Sequence, residues 1–373
     1  MWSCLLRRLC KWESRDLLNF KQLFPESARQ LNTNLVQLNR MAKPILTTNS
    51  TPEEELLFTS LRASEWDEFH GQEEVKKSLR ISIQAAKERK EPLDHTLFYG
   101  PPGLGKTTLS LLIAKELGVQ VKLTSGTALT KAGDVAALLT NLQPGDIIFI
   151  DEIHRLPKVV EETLYPAMED CALDIMIGKG PGARTLRLDL PPFTLVGATT
   201  RFGLLAGPFR DRFGLIHRIE LYKPTVLASI LQNTAKRLNI EISEPAALEI
   251  SRRSRGTPRI ALKLLKRVRD VAQINGSTQV ELSDVLDSLS MFNIDSLGLG
   301  DLDRQLLEQI IQKHNGGPVG LSTIAATLNE DPLTIEEVFE PFLLQAGLVK
   351  RTPKGRVITD LAYRHLGIAA PGK

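Results

Sequence analysis

Cysteine is scarce in this chain: Cys4, Cys10 and Cys171 are the three among 373 residues. Their spacing fits neither a zinc site nor a disulfide framework, so a reducing, cytoplasmic setting is expected and Cys171 reads as a small packing residue. No apolar run is long enough to span a bilayer, and no membrane partner is expected. A strong charge of one sign is also missing. The formal net charge is +3, and the first forty residues account for all of that excess. They hold Arg7, Arg8, Lys11, Arg15, Lys21, Arg29 and Arg40 against Glu13, Asp16 and Glu26. Global charge therefore makes no case for nucleic acid, and such a case has to come from a local patch.

What is present is an ordinary globular composition, 42% hydrophobic and 24% charged, in a length that accommodates two or three domains. Residues 1–40 show no clear domain pattern and precede a second start-like sequence at Met41. An over-extended start, a poorly ordered extension and a targeting peptide all remain open readings there. Residues 41–60 read as a flexible lead-in rich in Pro, Thr and Ser.

From Glu73 to Glu91 apolar residues recur at helical spacing. Three short apolar runs, 96–99, 147–150 and 193–197, read as strands, with helices between them. Alternation of this kind implies a mostly parallel sheet covered on both faces. After Pro224 the chain turns helical, with helices expected at 225–238, 245–253, 258–274 and 281–289.

Gly100-Pro101-Pro102-Gly103-Leu104-Gly105-Lys106-Thr107-Thr108 fits G-x-x-x-x-G-K-[ST]. Glycines let backbone N–H groups approach phosphates, and the adjoining helix aims its N-terminus at them. Lys106 is expected to reach the β/γ-phosphates of ATP and Thr107 to ligate Mg²⁺. The strand 147–150 runs into Asp151-Glu152-Ile153-His154. Asp151 is placed to hold the Mg²⁺ shell, and Glu152 to orient and deprotonate the attacking water. His154 either couples the site to DNA or packs.

These motifs occur in order with Gly197-Ala198-Thr199-Thr200-Arg201, Phe209-Arg210-Asp211-Arg212-Phe213-Gly214 and Gly256-Thr257-Pro258-Arg259. Together they resemble the RuvB family, bacterial branch-migration ATPases of Holliday junctions, over about residues 61 to 367. The resemblance implies an α/β AAA+ P-loop ATPase core over 61–223, with a parallel sheet and helices on both faces. A small helical lid domain would come next over 224–297, and a C-terminal winged-helix domain over 298–373. By the same resemblance Leu61 and Arg62 approach the adenine, and Gly103, Gly105, Lys106, Thr107 and Thr108 cradle the phosphates. Thr199 senses the γ-phosphate, Arg259 is the second sensor, and Arg212 is an arginine finger reaching a neighbour's nucleotide. Glu169, Asp170, Cys171 and Tyr222 also fall where the family contacts nucleotide. A homo-hexamer is implied, as is a junction resolvase as further partner. Residues 171–193 alternate as a hairpin, which in the family docks the RuvA-type junction-binding protein.

In the tail, a helix at 321–328, a polar turn and a second helix over 335–346 lead to Lys350-Arg351-Thr352-Pro353-Lys354-Gly355-Arg356. That is a winged-helix pattern with four basic residues on one turn and no acid between them, the local patch the global charge lacked. Arg351 and Arg356 match the family's DNA-contacting arginines, which implies four-way junction and duplex DNA as substrates. A clamp-loader or initiator-like ATPase that assembles proteins on DNA is the alternative. A superfamily-2 helicase and a non-enzymatic winged-helix regulator fit the motifs less well.

Overall fold

A computed structural model describes residues 58–177 and 184–370. The 1–40 extension, most of the lead-in and the hairpin tip around Gly180 lie outside the described residues.

Helix α1 (Glu73–Arg89) buries Val75, Leu79, Ile83 and Ala86, the stripe its periodicity marks. It leads to β1 (Thr96–Tyr99), the phosphate loop and α2 (Lys106–Leu117). Next come β2 (Val121–Ser125), α3 (Ala132–Leu139), β3 (Ile147–Asp151) and α4 (Lys158–Asp170). A hairpin of β4 (Ala172–Ile177) and β5 (Arg184–Asp189) precedes β6 (Thr194–Thr199), the short α5 (Gly207–Arg210) and β7 (Leu215–Arg218). The sheet order is β2-β3-β6-β1-β7, and every pairing is parallel. β3 and β6 sit between neighbours, and their residues Ile147–Ile150 and Thr194–Thr199 are all buried. Each such Ile or Leu contributes roughly 1.5–3 kcal/mol by leaving water. Separate apolar layers lie against the two faces, one built on α1 and α2, the other on α3 and α4. The edge strands β2 and β7 went unrecognised in the sequence. Their residues are only partly buried, so neither carries the continuous apolar run of a central strand.

Helices α6 (Pro224–Arg237), α7 (Glu244–Arg252), α8 (Pro258–Asn275) and α9 (Leu282–Met291), with the two-residue pair β8 (Glu241–Ile242) and β9 (Gln279–Val280), form the lid region. Arg255 ties the lid to the tail. Its guanidinium pairs with Asp303, both under 5% exposed, donates from Nε to the Gly298 carbonyl at 2.9 Å, and lies 4.6 Å over the Phe342 ring.

The tail is built from α10 (Asp301–His314), α11 (Leu321–Leu328), a second helical stretch and the antiparallel pair β10 (Val349–Thr352) and β11 (Gly355–Ile358), with a closing helix over Asp360–Leu366. The second stretch differs from the uninterrupted helix expected over 335–346. It widens to a π-helical turn over Ile335–Phe339 before continuing as α12 (Glu340–Gln345). Pro341 explains the widening: it has no N–H to give the Glu337 carbonyl four residues back, and its ring crowds that oxygen.

Candidate ATPase site and wing

The carboxyl ends of the adjacent strands β3, β6 and β1 converge on one edge of the sheet, where open α/β sheets bind ligands. β1 delivers the phosphate loop. Gly103 and Gly105 adopt φ of +78° and +96°. A Cβ on Gly103 would stand 2.8 Å from Arg259 Cβ, so the lid packs directly on the loop. Lys106 is buried and donates to the Gly100 and Pro101 carbonyls, each at 2.8 Å. Burial lowers its pKa, opposed by the charges of Asp151 and Glu152. Asp151 is pushed the other way, raised by burial and then by Glu152.

Glu152 leaves β3 in the left-handed region at φ +48°, a conformation a non-glycine residue holds only where its surroundings impose it. The Arg155 N–H donates to its carbonyl at 2.9 Å. Its carboxylate is met from two sides. Thr200 Oγ1 donates to Oε2 at 3.0 Å, and His154 Nδ1 lies 3.2 Å from the same oxygen. Thr199 is fully buried behind them, its Oγ1 hydrogen-bonded to His154 Nδ1 at 2.9 Å and accepting from the Arg201 N–H at 3.0 Å. Burial holds the His154 pKa below its ordinary value.

A cavity of about 580 Å³ opens over this edge. Of the residues singled out in the sequence, Leu61, Arg62, Gly103, Gly105, Lys106, Thr107, Thr108, Asp151, Glu152, Tyr222 and Arg259 line it. Glu169, Asp170, Cys171, Thr199 and Arg212 do not. The lining combines Lys106, Arg62 and Arg259 and the glycine loop with the apolar Phe58 and Leu61, a set suited to a nucleotide triphosphate. Lid residues that sequence reasoning missed complete it. Asn233 and Arg237 are one helical turn apart on α6, and Arg237 Nη1 donates to the Arg62 carbonyl at 2.9 Å. Nothing local marks them, because polar residues on an amphipathic helix ordinarily face water. Tyr222 donates to the Leu104 carbonyl at 3.1 Å, and burial pushes its hydroxyl pKa up.

Arg212 instead pairs with Glu169 at 3.0 Å and lies 4.2 Å over the Tyr165 ring, with Asp170 beside it on Arg187 at 2.7 Å. The expected finger and the Glu169–Cys171 segment therefore form one cluster, outside the cavity of their own chain.

Comparison with known proteins settles the lineage. Models of the RuvB P-loop domain of the Holliday junction DNA helicase, the RuvB AAA lid domain and the RuvB C-terminal winged helix domain match residues 61–219, 222–295 and 296–367. The chain belongs to the RuvB family. The solved structure of the Thermotoga maritima RuvB Holliday junction branch migration motor is 49% identical over 83% of this chain and 99% of that one, with a TM-score of 0.76. An alanine-to-serine mutant of the same Thermotoga RuvB matches at 49% identity and a TM-score of 0.77, over 84% of this chain and all of that one. As a RuvB, this chain is an AAA+ ATPase and branch-migration motor.

At the RuvB wing the structure corrects one expectation. Two of the four basic residues, Arg351 and Arg356, do have an acid between them, supplied from α12 rather than from the hairpin. Arg351 and Arg356 face each other across β10 and β11, a like-charge pair that would repel on its own. Glu340, 3% exposed, lies between them. It takes a bidentate contact from each, from Arg356 at 2.8 and 2.9 Å and from Arg351 at 2.7 and 3.2 Å. Arg351 also reaches Glu336 at 3.3 Å. Its side chain is 50% exposed and that of Arg356 14%, so the two arginines are not equally open to DNA.

Proposed function

We propose that this RuvB chain acts as one subunit of a hexameric ring that hydrolyses Mg²⁺-ATP between subunits and drives duplex arms through a four-way junction. The observation that carries this reading is the separation of Arg212 from its own chain's cavity while Lys106, Asp151 and Glu152 line that cavity. A finger cluster outside one cavity is what a neighbour's cavity requires. Bound Mg²⁺, held by Thr107 and Asp151, would neutralise phosphate charge. Lys106 binds the phosphates, Arg62 and Tyr222 shape the nucleotide end of the cavity, and Arg259 brings the lid onto the same nucleotide. Glu152 orients a water and takes its proton. The γ-phosphate-sensing hydroxyl is better assigned to Thr200, which already contacts Glu152, than to the buried Thr199 behind it.

The 171–193 hairpin is the docking element for a RuvA-type junction-binding protein, and a junction resolvase is the further partner. The pairing of β4 with β5 supports a projecting ribbon. A synthetic four-way junction provides the decisive assay. Arm exchange should depend on ATP and be raised by the RuvA-type protein. ATP-dependent loading of another protein on DNA without arm exchange would instead favour the clamp-loader reading.

The wing makes a separate expectation. Arg351→Ala should weaken binding to unrelated duplexes about equally and flatten the slope of log affinity against log salt by roughly one unit, the loss of one phosphate contact. Arg356→Ala should flatten it less, because that side chain is only 14% exposed and so less open to a phosphate. Equal salt slopes for wild type and Arg351→Ala would remove the wing from the DNA interface.

A further inference from the structure

The ATPase core touches the winged-helix domain at a point that bears on the catalytic carboxylate. Glu337, on the π-helical turn, pairs through Oε1 with Arg201 and through Oε2 with Arg155, the latter at 3.9 Å. Both arginines lie just past catalytic strand ends. Arg201 succeeds Thr200, which holds Glu152, and its own N–H holds the Thr199 hydroxyl. Arg155 succeeds His154, and its N–H caps the Glu152 carbonyl. One carboxylate from the tail thus grips both segments that position Glu152.

The other side of the same turn faces the wing. Glu336 and Glu340, the residues flanking Glu337 on this stretch, hold Arg351 and Arg356. Pro341 keeps the stretch widened at this place, and π-helical turns are rare and concentrated at functional sites. Glu337, Arg201 and Arg155 are each about a third to a half exposed, which makes the grip solvent-screened and reversible. Buried His154 feels it electrically: the charges of Arg155, Arg201 and Glu337 all act on its pKa.

We propose that Glu337 is a positioning residue of the ATPase site supplied by the winged-helix domain, and that its grip on Arg201 and Arg155 holds Glu152 in a resting arrangement until the wing engages DNA. This rests on the wing being a DNA contact. When Arg351 exchanges Glu336 and Glu340 for a phosphate, the turn carrying Glu337 keeps only the Arg356–Glu340 contact on its wing side and loosens. Arg201 and Arg155 are then free to shift, and with them the Thr200 and His154 contacts to the Glu152 carboxylate.

The test compares steady-state ATP hydrolysis by full-length wild type, Glu337→Gln and the charge exchange Glu337→Arg with Arg201→Glu, each with and without duplex DNA. Glu337→Gln should raise the DNA-free kcat by about fivefold, the low end of typical coupling between sites, and shrink DNA stimulation by the same factor. KM for ATP and duplex affinity should not move, because neither the cavity lining nor the wing is altered. The charge exchange rebuilds the shorter Arg201 arm but not the 3.9 Å Arg155 arm, so it should restore both rates part of the way to wild type, which a mere loss of packing would not allow. Unchanged kcat and unchanged DNA stimulation in Glu337→Gln would overturn the proposal, and so would a fall in DNA-free kcat, which would make the contact part of the active arrangement. Duplex affinity of Arg351→Ala is the separating arm. If it equals wild type while Glu337→Gln still raises DNA-free kcat, the wing reading fails and the positioning role stands.

Discussion

Glu152→Gln should bind ATP with near-wild-type affinity and lose turnover by about 10²–10⁴-fold, the usual contribution of a positioned general base. The amide keeps the shape of the side chain and can still accept from Thr200, so the arrangement seen at Oε2 survives. What disappears is a group able to take a proton from water. Binding is expected to be spared because the proposed phosphate contacts come from the loop and Lys106, and an anionic carboxylate is not suited to add to them. Lys106→Ala provides the contrast. It removes the buried ammonium that the loop carbonyls hold, and nucleotide binding itself should weaken. Nucleotide binding and single-turnover hydrolysis, measured on the same preparations, separate the two effects. Full turnover by purified Glu152→Gln would remove it from the mechanism and leave His154 as the neighbouring candidate.

Arg212→Ala should likewise bind ATP and hydrolyse it poorly, by roughly 10³–10⁵-fold if its guanidinium meets transition-state charge in a neighbour's site. Its present partners, Glu169 and the Tyr165 ring, lie on its own chain but not at its own cavity. A finger acting in trans has a consequence that a cis residue lacks. Arg212→Ala mixed with Lys106→Ala should regain activity, because one protein brings an intact cavity and the other an intact finger to the shared interface. Two inactive monomers cannot complement in this way, so rescue also establishes the oligomer. If the mixture stays as inactive as either parent after subunit exchange has been demonstrated, Arg212 is not the trans finger. Arg210, which stacks on Phe202 at 5.2 Å, is then the next residue to test.

The parts of this protein legible in its sequence are those whose physics is local. A glycine-rich turn must sit between a strand and a helix to cradle phosphate, so Gly100 to Thr108 announces both its chemistry and its flanking elements. The buried strand 147–150 is continuous in apolar residues and ends in two carboxylates, which places Asp151 and Glu152 at a strand's carboxyl end from the sequence alone. The stripe of α1 and the lid helices are visible for the same reason, since each repeats at the helical period.

Tertiary structure decided what depends on residues far apart in the chain. The edge strands β2 and β7 became strands by pairing, not by pattern. Thr199 and Thr200 are indistinguishable as neighbours in sequence, yet the first ends β6 buried against His154 while the second, just past the strand end, reaches Glu152. Asn233 and Arg237 joined the nucleotide cavity only because the lid folds back over it. The wing looked free of acid because Glu340 stands ten residues before Lys350. Packing α12 under the hairpin brings that carboxylate between two arginines, and the same stretch sets Glu337 against the ATPase core. Sequence proximity determines which groups share a turn; burial and long-range packing determine which charges meet, because Coulomb attraction in a partly desolvated site depends on distance in space alone.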